Sequence, residues 1–478
     1  MLAQKLFRNF VVLFAGNVVG QLCFFVGLAH LARVLGPSEF GLWNFGQAWL
    51  LYLFRAGEFG LEVVGIRETA RNPERTREWV STVVGVRFVL AVILFAATLL
   101  IAWGNLIPSD SSKLVMLFAL AVFPMALVLE WVFEARQEVG IVSVGRVVKG
   151  ALFALMVFMF VQRADDAEKS VVMYVLSVGI PTAIVSYAAL SRFGFNRSRL
   201  KLAQGIEALR SAAPIGAATI LSQFSLFLGT MVAGYMLSKA ELGYYTAAHR
   251  ILVFLLAYVI ASSHRILLPT LSRYFHESLP DYSKFVEKFF RLAVLSSVPI
   301  GIAGTLSATT LIPFLYSSVY QPAAIVFQVL IWTFIIATIR TIFEIAMIAA
   351  DQQRRYLKGM LFLATAYSLT TPLLAIRFGI TGIAVASVVS ELSYLVYLLV
   401  IYPYSKRVGF VSHLAKSATG AVIAGAAAYM LKGYHFTVPL MIGVFMYTVV
   451  MVLAKGISKS DISLLRSILH TGPAEAST

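Results

Sequence analysis

Residues 31–43 read LARVLGPSEFGLW, and residues 233–245 read AGYMLSKAELGYY. At an offset of 202, Leu35 aligns with Leu237, Glu39 with Glu241 and Gly41 with Gly243. Each stretch is a short connector between two long apolar runs. Other matches keep nearly the same offset. Gln21 pairs with Gln223 and Arg87 with Arg291, RVVKGALFAL (146–155) returns as RYLKGMLFLA (355–364), and WVFEA (131–135) returns as TIFEI (341–345). The chain is a duplication.

The duplicated units are membrane units. Of 478 residues, 59% are hydrophobic and 13% charged, where a soluble domain carries about 25% charged. Mean hydropathy is +0.83. A helix needs about 20 apolar residues to span the hydrocarbon core. Fourteen segments qualify: 10–33, 40–63, 80–103, 113–135, 143–162, 170–190, 213–237, 242–264, 285–308, 322–349, 357–376, 380–403, 413–432 and 437–455. The first follows Lys5 and Arg8, is too long for a signal-peptide core, and is read as an uncleaved span. Gly36-Pro37 reads as a turn. Trp43, Trp79 and Trp103, near span ends, read as interfacial anchors. Cys23, a lone cysteine, excludes an intrachain disulfide.

Lys and Arg set the orientation. With the N-terminus inside, 28 of the 39 basic residues fall on the cytoplasmic side and seven on the other, with four inside spans. That asymmetry accounts for the net charge of +16 without nucleic acid as a partner. The expected fold class is an all-α polytopic membrane protein of about 14 helices. Spans 1–6 (1–191) and 7–12 (213–403) form two six-helix lobes. A basic amphipathic linker (192–212) lies between them, and 404–478 holds two further spans and a cytoplasmic tail. Six spans per half make the repeats parallel, related by a pseudo-twofold along the membrane normal with a cavity between the lobes.

LARVLGPSEFGLW, with GEFGLEVVGIRETAR (57–71), AADQQRRYLKG (349–359) and FGITGIAVASVVSELSYL (378–395), resembles the polysaccharide transporter family. These are the lipid-linked oligosaccharide flippases of the multidrug/oligosaccharidyl-lipid/polysaccharide superfamily. The resemblance covers spans 1–12. It implies a bacterial inner-membrane protein that moves a polyprenyl-diphosphate-linked sugar from the cytoplasmic to the periplasmic leaflet by alternating access. The product would be an O-antigen, exopolysaccharide or related polymer, with membrane lipids and a polysaccharide polymerase as further partners. It implies no cofactor; proton or sodium coupling stays open. No GxxxxGK[ST] motif is present.

A charge near the bilayer centre costs about 2.5–3.5 kcal/mol on insertion scales, so each needs a reason. Span 2 carries Asn44, Gln47, Arg55, Glu58 and Glu62 along one helical face. Asn17 and Gln21 lie in span 1, His249 and Arg250 in span 8, Arg340 and Glu344 in span 10, and Glu391 in span 12. A diphosphate is anionic, and the guanidinium fork suits phosphate oxygens. Arg55, Arg250 and Arg340 are therefore assigned to the diphosphate. Asn17, Gln21, Asn44, Gln47, Glu58, His249, Glu344 and Glu391 are assigned to the polar lining and gating of the cavity. Arg55/Glu58 and Arg340/Glu344 are also intrahelical neighbours that could neutralise each other and fix packing. Arg87 and Arg291 are expected to snorkel to the headgroups, and Glu62, Glu130 and Glu134 to form gate or loop pairs.

Two other functions stay open as alternatives: a cation-coupled multidrug antiporter and a peptidoglycan-precursor flippase, both of the same superfamily. A site for organic cations relies on acids and aromatics, and three mid-span arginines oppose it. An enzyme is not expected: the longest outer segment, 309–321, has no charged residue, and no nucleophile or metal motif is visible.

Overall fold

A computed structural model describes residues 2–195, 202–402, 410–430 and 437–453. Every regular element among them is helical. The chain divides into two compact units, Met1–Gly243 and Tyr244–Thr478. The tail beyond 453 and residues 196–201 of the expected linker lie outside the described residues.

The first unit holds α1 (Leu2–Glu58), α2 (Leu61–Arg71), α3 (Thr76–Trp103), α4 (Ser109–Ala119), α5 (Val122–Ala126), α6 (Glu130–Ala135), α7 (Val139–Phe160), α8 (Ala167–Phe193) and α9 (Leu202–Met236). The unit boundary falls inside the first turns of α10 (Lys239–Glu277). The second unit continues with α11 (Leu279–Tyr316), α12 (Ala323–Ala349), α13 (Gln353–Ile401), α14 (Phe410–Met430) and α15 (Thr437–Leu453). Nine apolar stretches among the described residues are long enough to cross a bilayer. Two of these, Val11–Arg71 and Gln353–Ile401, run 61 and 49 residues, twice or more the length of about 20 that one crossing needs. Both bend at a glycine with positive φ, 71° at Gly36 and 57° at Gly379. Gly36-Pro37 is where two helices meet, as the sequence suggests: Gly36 takes a non-helical backbone with positive φ, and Pro37 supplies no N–H to the helix behind it.

Lipid offers no drive for one apolar helix to leave it for another, so small residues that let backbones approach supply the packing. Along α1, Gly16, Gly20 and Gly27 face α7. A Cβ on Gly20 would stand 2.5 Å from the Arg146 carbonyl oxygen, and one on Gly27 would stand 2.9 Å from Ala154 Cα. A Cβ on Gly150 would run into the Gly20 carbonyl. The second half of α1 packs on α9 in the same way. A Cβ on Gly234 of α9 would run into the Phe45 ring of α1, one on Gly60, just past the end of α1, would meet Gly216 N of α9 at 2.8 Å, and one on Gly41 would meet Gly243 N, in the first turns of α10, at 2.7 Å. Between those ends Tyr52 donates to the Phe224 carbonyl at 3.1 Å. The duplicated connectors therefore touch each other: Gly41 and its repeat counterpart Gly243 are neighbours within the first unit.

The fourth expected span, 113–135, is not one helix but three short ones, α4, α5 and α6. Its breaks free carbonyls that hydrocarbon cannot satisfy, and neighbouring side chains take them. Arg87 donates to the Val128 carbonyl at 2.9 Å, and Ser186 donates to that of Leu127. Trp43 is not an interfacial anchor. It is wholly buried and packs edge-on to Phe118 and Tyr174. Trp103, at 85% exposure, stands at the end of α3 where an anchor belongs.

In the second unit α12 packs against α11 and α13, and α14 against α11 and α15. Tyr282 donates to the Ala346 carbonyl at 2.7 Å and receives a hydrogen bond from Tyr402 at 3.1 Å, tying α11, α12 and the end of α13.

The α1/α7 contact makes Gly150→Leu overpacked, at a cost of about 1–3 kcal/mol. The purified protein in detergent should unfold at a lower temperature. Gly140→Ala, at a helical position where an added Cβ meets nothing within 4 Å, should not shift the midpoint. Equal midpoints for Gly150→Leu and the unmodified protein would show that the two helices do not meet there.

Candidate functional site

Three arginines at membrane depth, Arg87, Arg146 and Arg340, each sit between two carboxylates. The first lies at the break between α1 and α2. Phe59 and Gly60 both take positive φ, 45° and 76°, which ends α1 and starts α2 in a new direction. The new helix exposes N–H groups that need acceptors. Glu58 fills that need, accepting from Gly60 N at 3.2 Å and Glu62 N at 3.0 Å. Arg87 of α3 comes to the same carboxylate at 3.4 Å and to Glu62 at 3.7 Å. A small cavity lined in part by Phe54, Glu58, Arg87 and Val122 adjoins the pair, and Arg87 Nε is buried there without a hydrogen-bond partner.

The second cluster joins α1, α6 and α7. Arg146 donates to Glu130 at 2.9 Å, to Glu134 at 2.6 Å and to Asn17 Oδ1 at 3.2 Å. The third is in the second unit. Arg340 of α12 grips both oxygens of Glu391 on α13 and one of Glu344 at 2.6 Å, a turn along its own helix. Tyr367 donates to Glu391 at 3.2 Å, and the Arg340 guanidinium lies 5.6 Å from the Tyr394 ring centre. Glu344 and Glu391 are each 5% exposed.

The structure sorts the residues expected from the sequence. Arg340/Glu344 is an ion pair, and Glu391 joins it. Arg55/Glu58 is not: Glu58 turns to Arg87, and Arg55 points to the neutral amide of Gln223 at 3.5 Å. Arg55 is half-buried. Asn17 is bonded to Arg146, and Asn44 donates to the Phe40 carbonyl at 2.7 Å, a bond within its own helix. Gln47 and His249 are buried, His249 stacked on Tyr245. Arg250 is half-buried, with the buried Tyr316 in electrostatic reach. Gln21 is exposed. Arg87 does not snorkel: it is 2% exposed and ion-paired. Charge spacing within one helix could not reveal this, because its acids arrive from a different helix.

The repeat clarifies the clusters further. The WVFEA/TIFEI match places Glu134 on Glu344 and, one residue upstream of each phrase, Glu130 on Arg340. The first unit thus has two acids that call an arginine from the next helix, Arg146. The second unit carries its own arginine in place of one acid. Arg355, the counterpart of Arg146, is then exposed and bonds Gln352 at 3.2 Å. Among the described residues no group of His, Cys, Asp and Glu is arranged to hold a metal ion.

Comparison with known proteins places this architecture. The lipid II flippase MurJ, in an inward closed conformation, superposes with a TM-score of 0.79 at 10% identity, covering 94% of this chain and 99% of that one. An inward-facing multidrug resistance MATE family transporter of the MOP superfamily gives 0.61 at 13% identity, over 82% of this chain and 96% of that one. The Vibrio cholerae MATE transporter VcmN in the bent form gives 0.53 at 17% identity, over 86% and 98%. At such identities the likeness is one of fold. No curated protein matches the chain. The family model described as polysaccharide biosynthesis protein matches residues 6–275. With more than half of its length matched and a multi-pass helical fold shared with flippases and transporters, the chain belongs to the polysaccharide biosynthesis protein family.

Proposed function

We propose that this protein moves a polyprenyl-diphosphate-linked oligosaccharide from the cytoplasmic to the periplasmic leaflet of a bacterial inner membrane. The cycle is alternating access, both termini are cytoplasmic, and a polysaccharide polymerase receives the product for an O-antigen, an exopolysaccharide or a related polymer. The observation that carries this reading is Arg55. Its guanidinium sits at membrane depth against a neutral amide, while the acids nearest in sequence are committed to Arg87. A guanidinium so placed keeps its charge for an incoming anion, and phosphate oxygens match its paired donors. Arg250 is the corresponding proposal for the second unit. Arg340 has a different part. Both of its faces are taken by Glu344 and Glu391, so it reaches a phosphate only by exchanging a carboxylate for it.

Cation coupling is a second element of this proposal, and one observation favours it. Glu344 and Glu391 outnumber Arg340 by one. A surplus carboxylate in a low-dielectric interior is stabilised by a proton or a monovalent cation. Such a site would let an ion gradient drive the cycle that the arginines couple to the lipid.

Cells depleted of the protein should accumulate a polyprenyl-diphosphate oligosaccharide, read by mass spectrometry of lipid extracts. Arg55→Ala or Arg250→Ala, expressed at normal level, should fail to clear it. A charged hydrogen bond contributes about 1.5–3 kcal/mol, so each variant should weaken substrate affinity about 10- to 100-fold. Absence of any such lipid on depletion would overturn the proposal. Separately, Glu391→Gln should make transport in proteoliposomes insensitive to an imposed proton or sodium gradient. An unchanged gradient response in that variant would exclude the Glu344/Glu391 pair as the coupling site.

A further inference from the structure

We propose that Lys149 is a second phosphate-contact residue of the first unit, a role that rests on the flippase reading above. Lys149 lies on the packed face of α7. Val144, Val148, Leu155, Phe158 and Met159 form the exposed face of that helix. Lys149 shares the opposite side with Val142, Arg146 and Phe153, at spacings of seven, three and four residues. It stands ten residues beyond Val139, the start of α7, which is about 15 Å along the axis. Lysine at such depth is costly and calls for a partner.

Among the described residues no carboxylate is in ion-pair contact with Lys149. Glu130 attracts Lys149 electrostatically, but Arg146 already donates to Glu130 and Glu134, and Arg87 holds Glu58 and Glu62. Among the described residues Lys149 has neither a hydrogen bond nor an ion pair. The four acids and two arginines form one layer near the end of the bundle where α2 stops and α7 begins. That end is marked by Arg136, whose guanidinium donates to the Pro73 carbonyl at 3.3 Å. Arg55 is three residues before Glu58 on α1, and Lys149 is three residues after Arg146 on α7. Both are therefore displaced from the acid layer in the same direction, about one helical turn away from that end. Two phosphates carry at least two negative charges, and Arg55 and Lys149 supply two positive ones without a carboxylate on either.

The repeat provides an internal control. The RxxKG phrase recurs with Arg355 and Lys358, and both are exposed. The phrase alone does not bring a lysine inward. In the first unit it is brought inward because Arg146 is drawn to Glu130 and Glu134, and Lys149 follows one turn later.

The test is binding of farnesyl diphosphate and farnesyl monophosphate to the purified full chain in detergent, read by calorimetry, with the unfolding midpoint measured alongside. The unmodified protein should prefer the diphosphate. Lys149→Gln should weaken diphosphate binding about tenfold or more, erase the preference over monophosphate, and leave the ligand-free midpoint near its original value. Lys149→Arg should retain the preference, and Lys358→Gln should bind as the unmodified protein does. If Lys149→Gln does not fold, Glu130→Gln/Lys149→Gln, which keeps the charge balance, is measured in its place and read the same way. Unaltered diphosphate preference in the glutamine variant would overturn the Lys149 assignment alone. An unmodified protein that binds neither prenyl ligand would overturn the flippase reading with it.

Discussion

A guanidinium shared between two carboxylates is the interaction on which the rest of this structure depends. It occurs at Arg87, Arg146 and Arg340. In water such a triad would contribute little. In a bundle surrounded by hydrocarbon, separation would leave unpaired ions in a low dielectric, at a cost of several kcal/mol each. The triads therefore fix which helices can be neighbours. Arg87 fastens α3 to the α1/α2 break, Arg146 fastens α7 to α6 and α1, and Arg340 fastens α12 to α13. The break at Phe59-Gly60 would otherwise expose the first N–H groups of α2, and Glu58 satisfies two of them while holding Arg87. One carboxylate thus serves the backbone and the ion pair together, which makes the change of direction at residue 60 part of the same construction.

Close backbone approach supplies what the ion pairs cannot. α1 meets α7 through Gly16, Gly20 and Gly27, it meets α9 at Gly234, and Gly41 meets Gly243 at the start of α10. Dispersion between backbones is favourable only at short range, and a methyl group at any of these points would force the helices apart. The contact of Gly41 with Gly243 ties this packing to the duplication. The first connector of each repeat is small where it touches its counterpart, so the resemblance between residues 31–43 and 233–245 coincides with a physical contact.

Much of this was legible in the sequence. Apolar run length and the duplicated connectors indicate a helical, multi-pass chain with repeated units, because both signals are local and strong. The distribution of small residues was present but not readable as contacts, since nothing in the sequence says which glycine faces which helix. The breaks in the fourth span are not readable because residues 114–129 are apolar without interruption; only Pro124 marks the place. Among the charges, Arg340/Glu344 was legible as an i, i+4 pair. Arg87 with Glu58, and Arg146 with Glu130 and Glu134, pair across helices, and spacing along one helix carries no information about them. Trp43 was misjudged for the same reason: a position near a span end does not say whether the ring points to headgroups or into the cluster of Phe118, Phe153 and Tyr174.

The two repeats have kept one glutamate, Glu134 and Glu344, and changed what surrounds it. In the first unit two neighbouring acids draw in Arg146, and four carboxylates gather on two arginines in a single layer. In the second unit Arg340 stands where Glu130 stands in the first, so the helix satisfies one acid by itself and can accept another, Glu391, from α13. The charges of the next helix differ accordingly: Arg146 bonds the two acids, whereas Arg355 is exposed. On the proposed reading the consequence is directional. An anion held at Arg55 and Lys149 lies to one side of a layer rich in carboxylates and is repelled by it, so the bound diphosphate is positioned away from that end of the bundle. Among the described residues the second unit presents no such layer, and on the same proposal its surplus carboxylate is the one that takes a cation.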